Sequence, residues 1–184
     1  MLFRSDGFEG EFFVVSDPVD PLCMAALTSG IKAFRIQGFG LGVMNGRACY
    51  YARKRADLSR YLTEGRVFGP HGEDLVVADS IIHYDDVLSR ELTELTVRAN
   101  LQIRELGFKP YIAPAIASGA IAILENLRGH WHYSSAYLGC GPDGAFLGMR
   151  NRRTQEGLMV EDLPLDQKLY ARIEKAYRNL EVLR

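Results

Sequence analysis

The chain has 184 residues, of which 47% are hydrophobic, so it can bury a substantial core as one domain, with or without an appendage. Its 22 basic and 23 acidic residues give a net charge of −1 and form no basic stripe, so nucleic acid is not an expected partner. The three cysteines are too few and too scattered for a disulfide framework or a zinc site. Without a long apolar stretch or a signal peptide, we expect a cytoplasmic protein, or a piece of one, with no membrane partner.

The first predicted elements form a strand–helix–strand unit. Residues 11–16 (EFFVVS) are almost wholly apolar, which is typical of a buried parallel strand. Asp17 is a good N-cap and Pro18 a good first helical residue, so a helix is predicted over residues 18–29. Residues 32–37 (KAFRIQ) predict a second strand, and the three elements make one βαβ unit with a parallel pair.

Three alternating glycines in residues 38–42 (GFGLG) then interrupt this regularity. A dinucleotide-binding fingerprint would follow the first strand, open the next helix and have an acid about twenty residues further on. This stretch follows the second strand instead. We therefore interpret it as a junction between two domains rather than as a phosphate cradle.

The rest of the chain predicts a mixture of helices and antiparallel strands. In chain order we expect a helix over residues 44–61, strands over 66–69 and 75–83, a helix over 87–106, a buried or subunit-contacting helix over 113–127, paired strands over 131–138 and 144–150, and an amphipathic helix over 165–183. His130 and His132 share one strand face without an evident third ligand, so no metal site is predicted.

The segment 67–74 (VFGPHGED) holds His71 in a rigid Gly-Pro-His-Gly turn between two apolar runs. A histidine with a fixed ring and an acidic neighbour suits proton transfer near neutral pH. The alternative is an ordinary turn histidine at the end of a strand. Glu73 and Asp74 either orient His71 or cap a strand, and capping is the simpler interpretation.

Several short motifs occur along the chain in a characteristic order. They are residues 16–20 (SDPVD), the Gly-x-Gly end of the second strand, an arginine one turn into the next helix, and residues 69–74 (GPHGED), 111–115 (YIAPA), 134–139 (SSAYLG), 144–148 (GAFLG) and 163–165 (LPL). Together they resemble the lactate/malate dehydrogenase family over nearly the whole chain. The resemblance implies an α+β fold like the C-terminal domain of that family, preceded by a remnant βαβ unit of a Rossmann domain.

In this interpretation, residues 1–42 are the last part of an NAD-binding domain and residues 43–184 are the substrate domain. The family's first four nucleotide-domain strands, its glycine fingerprint, its ribose-binding acid and its substrate-reading loop have no counterpart in the sequence. We therefore expect a truncated or fragmentary form of the family.

The resemblance also implies residue roles in hydride transfer between NAD and a small 2-hydroxy acid. His71 matches the base that takes the hydroxyl proton and returns it in the reverse reaction. Arg47 matches the arginine that binds the substrate carboxylate through two hydrogen bonds, and Asn45 is assigned to the same substrate-binding site. Asp17 replaces a family asparagine at the cofactor side of the site, near the reacting carbonyl. A carboxylate there would repel an anionic substrate, so the helix N-cap is its favoured role.

Met44 departs from the family pattern. The family has an aspartate there, which orients the histidine and stabilises its charged form, and Asn45 carries no charge to replace it. Two functions stay open: an oxidoreductase of the lactate/malate dehydrogenase type that is inactive alone, and a non-catalytic relative that serves as a binding or assembly protein. We expect a homodimer built partly from the helix over residues 44–61, with a 2-hydroxy or 2-oxo acid as the enzyme's ligand.

Overall fold

The structure is a computed structural model that describes residues 8–108, 114–140 and 143–182. In chain order the elements are β1 (Phe12–Val14), α1 (Val19–Thr28), a 3₁₀ turn (Ala33–Arg35), β2 (Ile36–Gly38), α2 (Leu41–Lys54), a 3₁₀ turn (Ala56–Leu58), α3 (Tyr61–Glu64), β3 (Arg66–Phe68), β4 (Val76–Ala78), α4 (Asp86–Glu105), α5 (Pro114–Leu127), β5 (His132–Cys140), β6 (Asp143–Thr154), β7 (Gly157–Val160) and α6 (Gln167–Val182).

A mixed five-stranded sheet organises the fold, with the strand order β1-β2-β5-β6-β7. β1 and β2 are parallel, which confirms the predicted βαβ unit, and the remaining neighbours in this sheet are antiparallel. β2 meets β5 where Gly38 is opposite Ser135, so the sheet continues across the domain border predicted at residues 42–43. That border stays a prediction. β3 and β4 form a separate antiparallel pair around the His71 turn.

The helix predicted over residues 44–61 is divided. α2 ends at Lys54 because Arg55 adopts an extended conformation (φ −129°, ψ 120°). The guanidinium of Arg55 pairs with the carboxylates of Asp57 and Glu91, which holds the chain in this new direction. The expectation of one continuous helix is therefore wrong at this point.

Two strand expectations also change. The strand predicted over residues 75–83 is limited to β4, because Ser80 turns the chain: its hydroxyl accepts hydrogen bonds from the amides of Ile82 and His83. β7 was not predicted from the sequence. It is a short exposed edge strand that begins at a glycine with φ +124°, and the run GLMV is its only sequence signal.

The apolar face of α2 forms the centre of one core cluster. Leu41, Met44, Ala48 and Ala52 recur every three or four residues and are all fully buried. They pack with buried side chains of β3 and β4 and with Leu92 of α4. This packing fixes the helix that carries Arg47.

A second cluster lies beneath α6, the closing helix of the described chain. Leu169 and Leu180 of α6 are buried against side chains from β3, β4 and β6, and Ala176 of the same helix is buried as well. The predicted apolar side of this helix is therefore confirmed. Within the described ranges, no helix is long and apolar enough to cross a membrane.

Candidate functional site

The His71 turn is held in place by its first glycine. Gly69 has φ +91°, and a Cβ atom there would lie only 2.8 Å from the carbonyl oxygen of Asp74. The amide of Gly69 also donates a hydrogen bond to the carbonyl oxygen of Gly148 in β6, at 2.9 Å. A glycine is thus required for the turn to close and to dock on the main sheet.

A second glycine, Gly40, lets three elements meet at this point. It immediately precedes α2, and a Cβ atom there would lie 3.5 Å from Cβ of His71 and 2.9 Å from Cγ2 of Val19. Because Gly40 has no side chain, the His71 turn packs closely over the start of α2 and beside α1. The His71 side chain is only 19% exposed as a result.

Asp17 is the hydrogen-bond partner of His71. Its Oδ1 atom lies 2.8 Å from Nδ1 of the imidazole. An ionised carboxylate can only accept hydrogen bonds, so Nδ1 carries the proton and donates it. Within the described part of the chain, Nε2 of His71 has no hydrogen-bond partner. The ring is thus anchored through one nitrogen, and the other is left for a ligand.

The helix N-cap predicted for Asp17 is wrong. Pro18 takes the N-cap position with an extended conformation, α1 begins at Val19, and no side chain caps the helix. Asp17 is therefore outside the helix, in the connection between β1 and α1, and its carboxylate contacts the His71 turn instead.

Arg47 projects from α2 as a partly buried cation. Its guanidinium donates to Oδ1 of Asn100 in α4 and contacts Sδ of Met44 at 3.5 Å. Burial lowers the pKa of Arg47, whereas the charges of Tyr51 and Asp17 act in the opposite direction. An arginine remains protonated at neutral pH under such influences. No carboxylate of the described residues lies within ion-pair distance of Arg47, so its charge is available to an anionic ligand.

Asn45 does not face the same side of α2 as Arg47. Residues two apart on a helix differ by about 200° in direction, so Asn45 and Arg47 leave α2 on nearly opposite sides. The Oδ1 atom of Asn45 accepts a hydrogen bond from the hydroxyl of Tyr61 in α3, at 2.7 Å. Its contacts therefore connect α2 to α3, and they do not support the substrate-binding role predicted for it.

Met44 and Asp74 are both engaged in packing or anchoring. Met44 is 1% exposed and lies in the α2 core cluster, so its position offers His71 no polar group. Both carboxylate oxygens of Asp74 accept from Nδ2 of Asn179 in α6, each at 3.0 Å. This contact ties the His71 turn to α6, which supports the structural interpretation of Asp74.

His132 takes part in a buried polar network rather than a metal site. Its Nδ1 donates to the carbonyl oxygen of His130, and its Nε2 lies 3.0 Å from the hydroxyl of Ser134, which also contacts Gln37 and Asn151. Among the described residues, no group of three potential ligands could hold a metal ion. The sequence contains no signal for this network, because its members come from three different strands.

The glycines of residues 38–42 do not form a cradle for a dinucleotide. A Cβ atom on Gly38 would lie 2.5 Å from Cγ1 of Val19, 3.0 Å from Sγ of Cys23 and 3.1 Å from Cβ of Ser135. The space beside this glycine is therefore filled by the protein's own side chains, as it is beside Gly40. Since a phosphate cradle needs open backbone at such positions, these glycines do not fit the phosphates of the NAD that the family resemblance implies.

Comparison with known proteins gives a likeness in fold. No protein-family model matches the sequence, and no curated protein matches it. A solved structure of the malate dehydrogenase from Aeropyrum pernix is similar, with a TM-score of 0.70 and 18% sequence identity. The similarity covers 93% of this chain and 62% of that chain, so this chain spans less than two thirds of that protein. The chain therefore has a malate-dehydrogenase-like fold.

Proposed function

We propose that this chain supplies the substrate-binding and proton-transfer side of an oxidoreductase that acts on a small 2-hydroxy or 2-oxo acid. One observation carries the proposal: His71 is anchored by Asp17 through Nδ1, and its Nε2 has no partner among the described residues, in a malate-dehydrogenase-like fold. Residues 43–184 are the substrate domain in this proposal, and residues 1–42 are the end of a Rossmann-type unit.

The proposed chemistry of this chain is the movement of one proton. In the oxidation direction the O–H bond of the hydroxy acid breaks and its proton bonds to Nε2 of His71, while the hydride on the same carbon leaves to an electron acceptor that the described residues of this chain do not hold. In the reverse direction the imidazolium returns the proton to the carbonyl oxygen. Arg47 binds the carboxylate of either acid, since a guanidinium matches two carboxylate oxygens. The electron acceptor implied by the resemblance is NAD, and no residue of this chain is assigned to it because the glycines of residues 38–42 form no cradle.

The test is a binding titration followed by nitrogen NMR of histidine-labelled protein. We expect L-lactate and L-malate to shift the His71 ring signals saturably at millimolar concentrations, whereas lactamide, which lacks the carboxylate, has no such effect. Arg47→Gln abolishes the response. Arg53→Gln is the matched control, because Arg53 is an exposed cation of the same helix. Shifts that do not saturate, or that survive Arg47→Gln, would overturn the proposal.

The second candidate is a non-catalytic binding or assembly protein. It is favoured by the filled spaces beside Gly38 and Gly40 and by the buried methionine at position 44. A protein of this kind binds no hydroxy acid at the His71 turn. The same titration therefore separates the two candidates: unchanged His71 signals with all three ligands favour the binding or assembly function.

A further inference from the structure

We propose that Asp17 is the positioning residue of His71. In this role it takes the place of the aspartate that the resembled family has at position 44, on α2. The inference rests on the proposed function, since it assumes that His71 carries the proton. It moves the acid of an acid–histidine pair from the helix to the junction between β1 and α1, where the sequence favoured a helix cap and the family resemblance placed Asp17 at the cofactor side of the site.

The contact geometry is that of an orienting pair. Asp17 and His71 are 54 positions apart in sequence, and their 2.8 Å contact joins the β1–α1 connection to the β3–β4 turn. A carboxylate that accepts from Nδ1–H selects one tautomer of the neutral ring, with the lone pair on Nε2. That lone pair is what a base needs, and the same carboxylate compensates the charge when Nε2 takes up a proton.

No other carboxylate of the described residues contacts the ring. Position 44 is occupied by a methionine that is 1% exposed, and Asp74 is held by Asn179 of α6. The charge of Asp17 acts on two further groups: it favours the protonated form of Arg47 and disfavours the ionised form of Asp20. Among the described residues, Asp17 is thus the carboxylate that contacts His71 and can orient it.

The location has a consequence that an acid on α2 would not have. The Asp17 side chain is 64% exposed, whereas Met44 is buried, so the orienting carboxylate faces solvent. Exposed charges are screened by salt and are held less firmly than buried ones. We therefore expect the tautomer preference of His71 to weaken as the ionic strength rises.

The experiment reads the tautomer directly from the ring nitrogens by NMR, at a pH where His71 is neutral. In the unmodified protein we expect the Nδ1–H form to dominate. Asp17→Ala removes the acceptor and shifts the ring towards the Nε2–H form. Asp17→Asn retains an oxygen acceptor and preserves the Nδ1–H form, so a purely structural role would not produce this contrast. Asp74→Ala is the matched control in the same turn and leaves the tautomer unchanged.

Each outcome decides the inference without reference to activity. An Nε2–H form in the unmodified protein, which needs no variant, overturns it, and so does an unchanged tautomer in a folded Asp17→Ala protein. If the tautomer responds as expected but no hydroxy acid binds, Asp17 remains the partner of His71 and only the proposed function fails. If the acids bind and the tautomer of His71 is the same in Asp17→Ala as in the unmodified protein, only this inference fails.

Discussion

Asp20 shows at the residue scale how burial changes an ordinary carboxylate. It lies in the first turn of α1, is 2% exposed, and its Oδ1 has no hydrogen-bond partner. Burial raises its pKa to about 6, against the opposing effect of a hydrogen bond from Ser135, and the charge of Asp17 adds to the rise. Asp20 is therefore a group whose ionisation near neutral pH weakens the fold.

Replacing Asp20 by asparagine is expected to stabilise the protein at alkaline pH. The pKa of Asp20 is higher in the folded state than the value of 3.8 that applies to the unfolded chain. The stabilisation of the folded state by the protonated carboxyl is therefore complete below about pH 4 and is lost as the pH rises through about 6. This difference in pKa corresponds to at most about 3 kcal/mol in the free energy of unfolding. Urea unfolding of Asp20→Asn should show a gain near pH 8 that fades near pH 4. The exposed Asp162→Asn is the control, and a gain that does not depend on pH would contradict the prediction.

His132 is expected to impose the opposite pH dependence. Burial lowers the pKa of His132, although the carbonyl of His130 and the charge of Glu125 act against this. The folded state then binds fewer protons than the unfolded state. The free energy of unfolding is therefore unaffected by His132 above about pH 6.5 and decreases as the pH falls below it. His132→Gln should remove this acid-induced loss from urea unfolding curves. His83→Gln, at a mostly exposed position, should leave it in place.

At the scale of elements, α2 and β2 use their glycines for different reasons. Gly46 lies inside α2, and a Cβ atom there would meet nothing within 4 Å. Gly38 ends β2, where a Cβ atom would clash with Val19 and crowd Cys23. The same substitution should therefore have opposite effects in the two elements.

We predict that Gly46→Ala raises the free energy of unfolding by about 0.5–1 kcal/mol, because alanine restricts the unfolded chain and fits the helix without strain. Gly38→Ala should lower it by about 1–3 kcal/mol, because the added methyl group overpacks the junction of α1, β2 and β5. Urea midpoints at neutral pH measure both effects. A stabilising Gly38→Ala would show that this junction is looser than its contacts imply.

At the scale of the whole molecule, the chain has a malate-dehydrogenase-like fold, and the spaces beside Gly38 and Gly40 are filled by side chains rather than open to a dinucleotide. We predict no NAD binding by calorimetry and no oxidation of lactate or malate by this chain alone. Positioning of the reacting groups lowers the barrier of such reactions by about 7–11 kcal/mol, and this contribution is lost when the cofactor is not bound. An intact malate dehydrogenase serves as the positive control. Micromolar NAD affinity with turnover would contradict this prediction.

Self-association is also expected at this scale. α5 packs against α2, and Ile121, Leu124 and Leu127 form an exposed apolar stripe along it. Burying this stripe against a second copy would remove apolar surface from water. Sedimentation should show a dimer that Leu124→Glu dissociates. Ile82→Glu, at an isolated exposed position, should not affect it, and a monomer at high concentration would count against the prediction.

The sequence by itself determined the elements whose signals are local. The parallel βαβ unit, the long α4, the paired β5 and β6 and the apolar side of α6 follow from periodicity, capping and turn residues, which act over a few positions. The position of His71 in a tight turn was readable in the same way. Local patterns failed where distant groups compete, as at Arg55, whose contact with Glu91 in α4 helps to end α2.

Only the tertiary structure decided which residues form the candidate site. Asp17 and His71 are 54 positions apart, and Arg47 and Asn100 are 53 apart, so no local pattern pairs them. From the sequence, Asp17 was an adequate helix cap and Asn45 a neighbour of Arg47. The fold overturned the cap at Asp17, because α1 begins at Val19 with Pro18 as its N-cap, and it turned Asn45 away from Arg47, because residues two apart on α2 face nearly opposite sides. Side-chain partnership depends on where the backbone brings distant segments together, and that is settled only by the packing of the whole chain.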